Sequence, residues 1–268
     1  MINLQAEMSQ IEDLPNKIKR PSMFWLFTEA GRALTELSIS IPYRTLYRNC
    51  EQGDGHPVLV LPGFMASDRS TGPLRKFVDK LGYSTYGWNL GRNYAKIEFV
   101  DALLLTMEEI YETHQEPITL IGWSLGGVFA RQLAKAKPEW VRQVITLGSP
   151  FRGVSEPNNV AWIYNLLTGG KRVREVDPKI LMDIPLPAPV PTTAIYTKED
   201  GIVPWKVCLE REEDEWHQNI QVRGSHLGLG VNPTVLNIIA DRLLYTKSCW
   251  GHFRPHNIVN DLLFYPSL

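Results

Sequence analysis

The chain has 268 residues, 44% hydrophobic and 21% charged, with a formal net charge of −1. This is the composition of an ordinary globular protein with room for one large domain or two small ones, and its near-neutral balance gives no electrostatic basis for binding nucleic acid or an anionic membrane. Three widely spaced cysteines, Cys50, Cys208 and Cys249, form neither a disulfide framework nor a metal knuckle, so a reducing, cytoplasmic setting is expected.

Residues 1–50 read as a polar arm followed by an amphipathic helix. Glu7, Glu12 and Asp13 stand where a signal peptide would be basic and apolar, and no run reaches the ~18 apolar residues of a membrane span. From Met23 the pattern is helical. Met23, Leu26, Phe27, Ala30, Ala33, Leu34 and Leu37 share one face, while Thr28, Glu29, Arg32, Thr35 and Glu36 share the other. The apolar face is expected to pack on the domain, because the polar face is mixed in charge rather than basic; transient contact with a lipid surface is the secondary reading. Pro42 is expected to end the helix or open an extended segment.

Residues 51–150 read as the first part of an α/β core. Gly53-Asp54-Gly55 make a turn, and Pro57 to Leu61 form a short buried strand. That strand delivers Pro62-Gly63-Phe64-Met65, where a glycine lets the backbone approach a ligand and leaves the Phe64 N–H free to donate. A helix over 73–81, a strand from Tyr83 to Tyr86 and a long helix over 95–114 follow. Ile118 to Ile121 is a second buried strand, and it runs into Gly122-Trp123-Ser124-Leu125-Gly126 before a helix over 125–136. Strand, sharp turn and helix around a central serine are the context of a G-x-S-x-G nucleophile elbow. The glycines let strand and helix pass close together, and the strained serine is lifted out of the sheet. Val141 to Leu147 is a further buried strand. The alternation predicts a doubly wound, mostly parallel sheet, with ligands at the carboxyl ends of its strands.

Residues 151–191 break the rhythm. They hold Gly169-Gly170, the basic residues Lys171, Arg172 and Arg174, and prolines at 185, 187, 189 and 191. Their apolar helical stretch, with Trp162, Ile163, Leu166 and Leu167, predicts an inserted cap or lid rather than a solvent loop. Met65, Trp123, Trp162 and Leu166 are the candidate substrate-binding side chains. Residues 192–268 then complete the core and add an aromatic-rich tail. Thr192 to Thr197 reads as a strand ending at Lys198-Glu199-Asp200-Gly201, and Ile220 to Val222 as a last strand before Gly224-Ser225-His226-Leu227-Gly228. Asn232-Pro233 caps a final helix reaching about Leu244.

Taken in order, Ser124, an acid after one strand and His226 after the next make a Ser…Asp…His sequence. A serine hydroxyl is a weak nucleophile until a neutral imidazole accepts its proton, and a carboxylate must hold that imidazole in the right tautomer. Asp200 is preferred as the acid because a short side chain at the turn is held rigidly; Glu199 competes next door, and Asp177 and Asp183 lie in the insertion. Backbone N–H groups would stabilise the tetrahedral oxyanion.

Gly122-Trp123-Ser124-Leu125-Gly126-Gly127, Leu61-Pro62-Gly63-Phe64, the Thr197–Pro204 segment and Gly224-Ser225-His226 together resemble the α/β-hydrolase superfamily on its lipase and esterase side. The resemblance spans roughly residues 57–245. It implies Ser124 as nucleophile, Asp200 as acid, His226 as base, and the N–H groups of Phe64 and Leu125 as oxyanion donors. Pro62 stands where many relatives carry histidine, and the strands that usually precede the first buried one are not evident.

The expected activity is hydrolysis of a carboxylic ester with an apolar acyl chain, on a small-molecule or lipid substrate, through an acyl-enzyme. Acyl transfer, amide or thioester hydrolysis, and a non-catalytic binding role on the same fold are the alternatives. No P-loop, no His/Cys ligand cluster and no G-x-G-x-x-G after a strand is present in the sequence, so neither a metal nor a cofactor is expected.

Overall fold

The computed structural model describes residues 18–46, 53–96, 98–152, 182–255 and 265–266. Among them, six strands form one sheet: β1 (Pro57–Leu61), β2 (Ser84–Gly87), β3 (Ile118–Trp123), β4 (Val141–Leu147), β5 (Thr192–Tyr196) and β6 (His217–Gln221). Their spatial order is β2-β1-β3-β4-β5-β6. Every neighbouring pair is parallel. The helices among the described residues are α1 (Met23–Leu46), α2 (Asp68–Lys80), α3 (Phe99–His114), α4 (Leu125–Ala136) and α5 (Pro233–Leu243). This is the open, doubly wound α/β sheet that the alternating pattern predicts.

The strands of β1, β4 and β5 are buried along their whole length, which explains their unbroken apolar character. Successive side chains point to opposite faces of the sheet, so each face builds its own core. Val58 and Val60 join Phe77 and Val78 of α2 and Leu236 and Ile239 of α5. Leu59 and Leu61 join Leu103 and Met107 of α3 and Val128 and Leu133 of α4. With α2 and α5 on one side and α3 and α4 on the other, both faces are covered.

The chain leaves β1 in one direction to β2, then returns to place β3 on the opposite side of β1. That reversal is a switch point, the place where open α/β sheets commonly bind ligands. The loop after β1 and the turn after β3 both lie there.

Two expectations change. Helix α1 does not end at Pro42 but continues to Leu46. The proline removes only one intrahelical donor near the helix end, where few bonds depend on it. More importantly, α1 is turned the other way round. Its polar side faces the protein: Glu29 is 3% exposed, whereas Phe27 and Leu34 on the apolar side are 79% and 65% exposed. The loops beneath α1 present backbone N–H and C=O groups that need partners, and the helix's charged residues supply them.

Beyond β4, Phe151 is buried beneath the Arg131 guanidinium, whose centre lies 3.9 Å from the ring centroid. Arg131 of α4 also pairs with Glu210 and donates to the Leu186 carbonyl at 2.8 Å. Ala188 and Val190, in the proline-rich return segment, are buried in the core beside α4. The helical stretch expected within 160–167 lies outside the described residues.

Candidate active site

Ser124 sits between β3 and α4 with φ 53° and ψ −121°. Positive φ is uncommon for a residue with a side chain, and here the neighbouring backbone enforces it. A Cβ at Gly122 would lie 2.3 Å from Gly127 Cα, and one at Gly126 would lie 2.2 Å from the Leu61 carbonyl oxygen. Strand β3, helix α4 and the end of β1 therefore touch backbone to backbone. The Ser124 N–H is tied to the Leu147 carbonyl at 2.8 Å, and the Ser124 carbonyl accepts from Gly127 N–H at 3.0 Å. The residue cannot relax without dismantling the turn.

The loop after β1 runs alongside. A Cβ at Gly63 would stand 3.1 Å from Ser124 Cβ and 3.8 Å from its Oγ, so glycine suits this close approach. Asn93 fixes the loop: fully buried, it donates Nδ2–H to the Pro62 carbonyl (2.9 Å) and exchanges backbone bonds with Met65 N–H (2.7 Å) and the Ala66 carbonyl (2.9 Å). Met65 adopts φ 58° and is 54% exposed. Among the described residues, the N–H groups of Phe64 and Leu125 take no hydrogen-bond partner. Both donors remain available. Nothing in the sequence singles out Asn93, whose partners come from a loop 27 to 31 residues upstream.

Asp200 and His226 meet at the ends of β5 and β6. His226 Nδ1 lies 2.6 Å from Asp200 Oδ2, and both side chains are buried. The other oxygen of Asp200, Oδ1, accepts from the N–H groups of Ile202 (2.8 Å) and Val203 (2.6 Å), which fixes the carboxylate's rotation. Glu199 turns elsewhere, accepting from Gly224 N–H at 3.2 Å and lying 4.0 Å from Arg32. Of the two competing acids, the structure puts Asp200 on the imidazole. Burial disfavours the charged His226 ring, but the Asp200 charge and hydrogen bond, with Glu29 behind them, outweigh it and raise its pKa above the ordinary 6.5.

His226 packs against the strand carrying the elbow. A Cβ at Gly148, after β4, would stand 3.1 Å from His226 Nδ1. The Trp123 indole N–H donates to the His226 carbonyl at 3.0 Å, and its ring lies against Gly230. Trp123 is thus placed on the histidine loop. Among the described residues, no hydrogen bond joins Ser124 Oγ to the imidazole; such contacts are commonly loose before substrate binds. Trp162 and Leu166 lie outside the described residues.

A parallel sheet with a strained serine after β3 and an Asp–His pair after the last two strands defines an α/β hydrolase. Solved structures share that architecture. One of the metagenome-derived lipolytic enzymes LipS and LipT matches 72% of this chain and 93% of its own, with TM-score 0.54 and 16% identity. An α/β superfamily hydrolase from Oenococcus oeni PSU-1 matches 71% and 94%, at TM-score 0.51 and 15% identity. Aspergillus fumigatus lipase B matches 80% of this chain but only 58% of its own, at TM-score 0.55 and 16% identity. At such identities the likeness is one of fold. A search of curated protein sequences gives no match. The family model for palmitoyl protein thioesterase matches residues 57–190, half of the chain, and the chain belongs to that family.

Proposed function

We propose that this protein is a serine hydrolase that cleaves an acyl ester through a covalent acyl-enzyme on Ser124. The observation that carries the reading is the buried, hydrogen-bonded His226–Asp200 pair after β5 and β6, in the same sheet as a serine locked at positive φ after β3. In this mechanism the neutral His226 ring takes the Ser124 proton on Nε2 as Oγ attacks the acyl carbonyl carbon. Asp200 keeps the other ring proton on Nδ1 and stabilises the imidazolium. The free N–H groups of Phe64 and Leu125 donate to the oxyanion, each worth on the order of 3 kcal/mol. The imidazolium returns its proton to the leaving alkoxide, and a water activated by the same ring then releases the acid. Met65, next to Phe64, and Leu227, next to His226, are exposed apolar side chains that suit an apolar acyl group.

The family match favours a second reading, in which the scissile bond is a thioester. A thiolate leaves without needing a proton, so this substrate makes less demand on His226 as an acid. One experiment addresses both readings. A fluorophosphonate is expected to label Ser124, and Ser124→Ala to lose labelling and turnover together. Comparing kcat/KM on p-nitrophenyl octanoate and an octanoyl thioester ranks the two bonds. Labelling at Ser149 or Ser225, or turnover surviving in Ser124→Ala, would remove the assignment.

A further inference from the structure

Helix α1 lies on the loops that carry the acid and the histidine, and it meets them with charge. A Cβ at Gly201, the residue after Asp200, would lie 2.4 Å from Leu26 N and 2.5 Å from the Trp25 carbonyl carbon, so helix backbone rests directly on the acid turn. Glu29, Arg32 and Glu36 follow at spacings of three and four, which puts them on one side of the helix. Arg32 donates to the Gly224 carbonyl (3.1 Å) and the Glu199 carbonyl (2.9 Å). Glu36 accepts from Ser225 N–H at 2.7 Å and from Asn232 Nδ2 at 3.3 Å.

Glu29 sits between the two loops. Its Oε1 accepts from Gly201 N–H at 2.8 Å and His226 N–H at 3.2 Å, and its Oε2 accepts from Leu227 N–H at 3.1 Å. Arg32 pairs with the same carboxylate at 3.0 Å. One side chain thereby holds the backbone of the residue after Asp200 and that of His226 itself. The Asp200–His226 contact joins the ends of two separate loops, and its geometry depends on what fixes those loops to each other.

We propose that Glu29 is a positioning residue for the hydrolytic site, bridging the acid turn and the histidine loop so that the imidazole is held against Asp200 and aimed at Ser124. This rests on the assignment of Ser124, His226 and Asp200 under Proposed function. Helix α1 is then part of the working site. Glu29 also places a second negative charge behind the ring, in the direction that favours imidazolium. Among the described residues, the charged and titratable groups around His226 are Asp200 from the β5 loop and Glu29 from α1, with Cys208 near Asp200 and with Arg32, Glu36, Glu199 and Arg223 in the surrounding network.

The test compares Glu29→Gln, Glu29→Asp and Glu36→Gln with the wild-type protein on p-nitrophenyl butyrate, with kcat normalised to the folded fraction from circular dichroism. Glu29→Gln is expected to lose kcat by roughly 10- to 100-fold with little change in KM, since small misplacements of a catalytic group cost that much. It should also move the acidic limb of kcat/KM to lower pH. Glu29→Asp keeps the charge but is too short to span both loops, so kcat should fall while the limb stays near its wild-type position. If the glutamine variant does not fold, the aspartate variant decides the matter alone. Wild-type kcat in Glu29→Asp would overturn the proposal, as would equal effects of Glu29→Gln and Glu36→Gln on kcat and the pH limb. Loss of the serine assignment is read separately, from Ser124→Ala in the otherwise wild-type chain.

Discussion

Asp200→Asn changes one atom of the site and leaves its shape alone. Oδ1 would keep its bonds from Ile202 and Val203 N–H, so the turn is expected to hold. The new amide then points its NH₂ at His226 Nδ1 across a 2.6 Å contact. Flipping the amide does not help, because its NH₂ would then face two backbone N–H donors. Nδ1 must therefore become the acceptor, and the ring carries its proton on Nε2, the nitrogen that has to take the proton of Ser124. The wrong tautomer costs about 10⁴ in kcat. At 1.36 kcal/mol per decade that is about 5.5 kcal/mol of transition-state stabilisation. Glu199 makes one long bond to Gly224 N–H and partly exposed ion pairs with Arg32 and Arg223. Glu199→Gln is expected to cost less than about 1 kcal/mol, under roughly fivefold in kcat. Initial rates on p-nitrophenyl butyrate, with thermal denaturation alongside, give both numbers. A greater loss in Glu199→Gln, or an Asp200→Asn enzyme within tenfold of wild type at unchanged stability, would refute the reasoning.

Gly126→Ala would press a methyl group against the Leu61 carbonyl oxygen, at 2.2 Å, and the backbone on both sides of that contact is fixed. The expected cost is about 3 kcal/mol or more in urea unfolding, with loss of fluorophosphonate labelling in whatever folds. His56, buried between Asp54 and Thr119, has its pKa lowered to about 4 by burial and the Arg142 charge, which outweigh Asp54. Because the unfolded chain takes up that proton near 6.5 and the folded chain only near 4, stability is lost as pH falls through this window, by about 3 kcal/mol. The urea midpoint should fall accordingly, and His56→Gln should flatten that slope; an unchanged slope would mean that another group carries it.

The strands and the elbow were legible in the sequence because each depends on contacts close along the chain. Apolar runs such as Val141–Leu147 are buried on both faces, and a G-x-S-x-G between strand and helix has few other ways to fold. Order and loop position also brought Ser124, Asp200 and His226 forward as candidates. Between Glu199 and Asp200 the sequence favours Asp200 on side-chain length alone, since both sit at one turn, and the direction of each side chain separates them. The orientation of α1 is hidden from the sequence for a related reason. Periodicity shows that a helix has two faces but not which one is turned inward, and the apolar face is the usual choice. Here the tertiary structure decided otherwise. The loops under α1 present backbone N–H groups of Gly201, His226 and Leu227, and Glu29, drawn from a segment more than 170 residues away, satisfies them. Asn93 was invisible for the same reason: its importance lies entirely in the loop it holds.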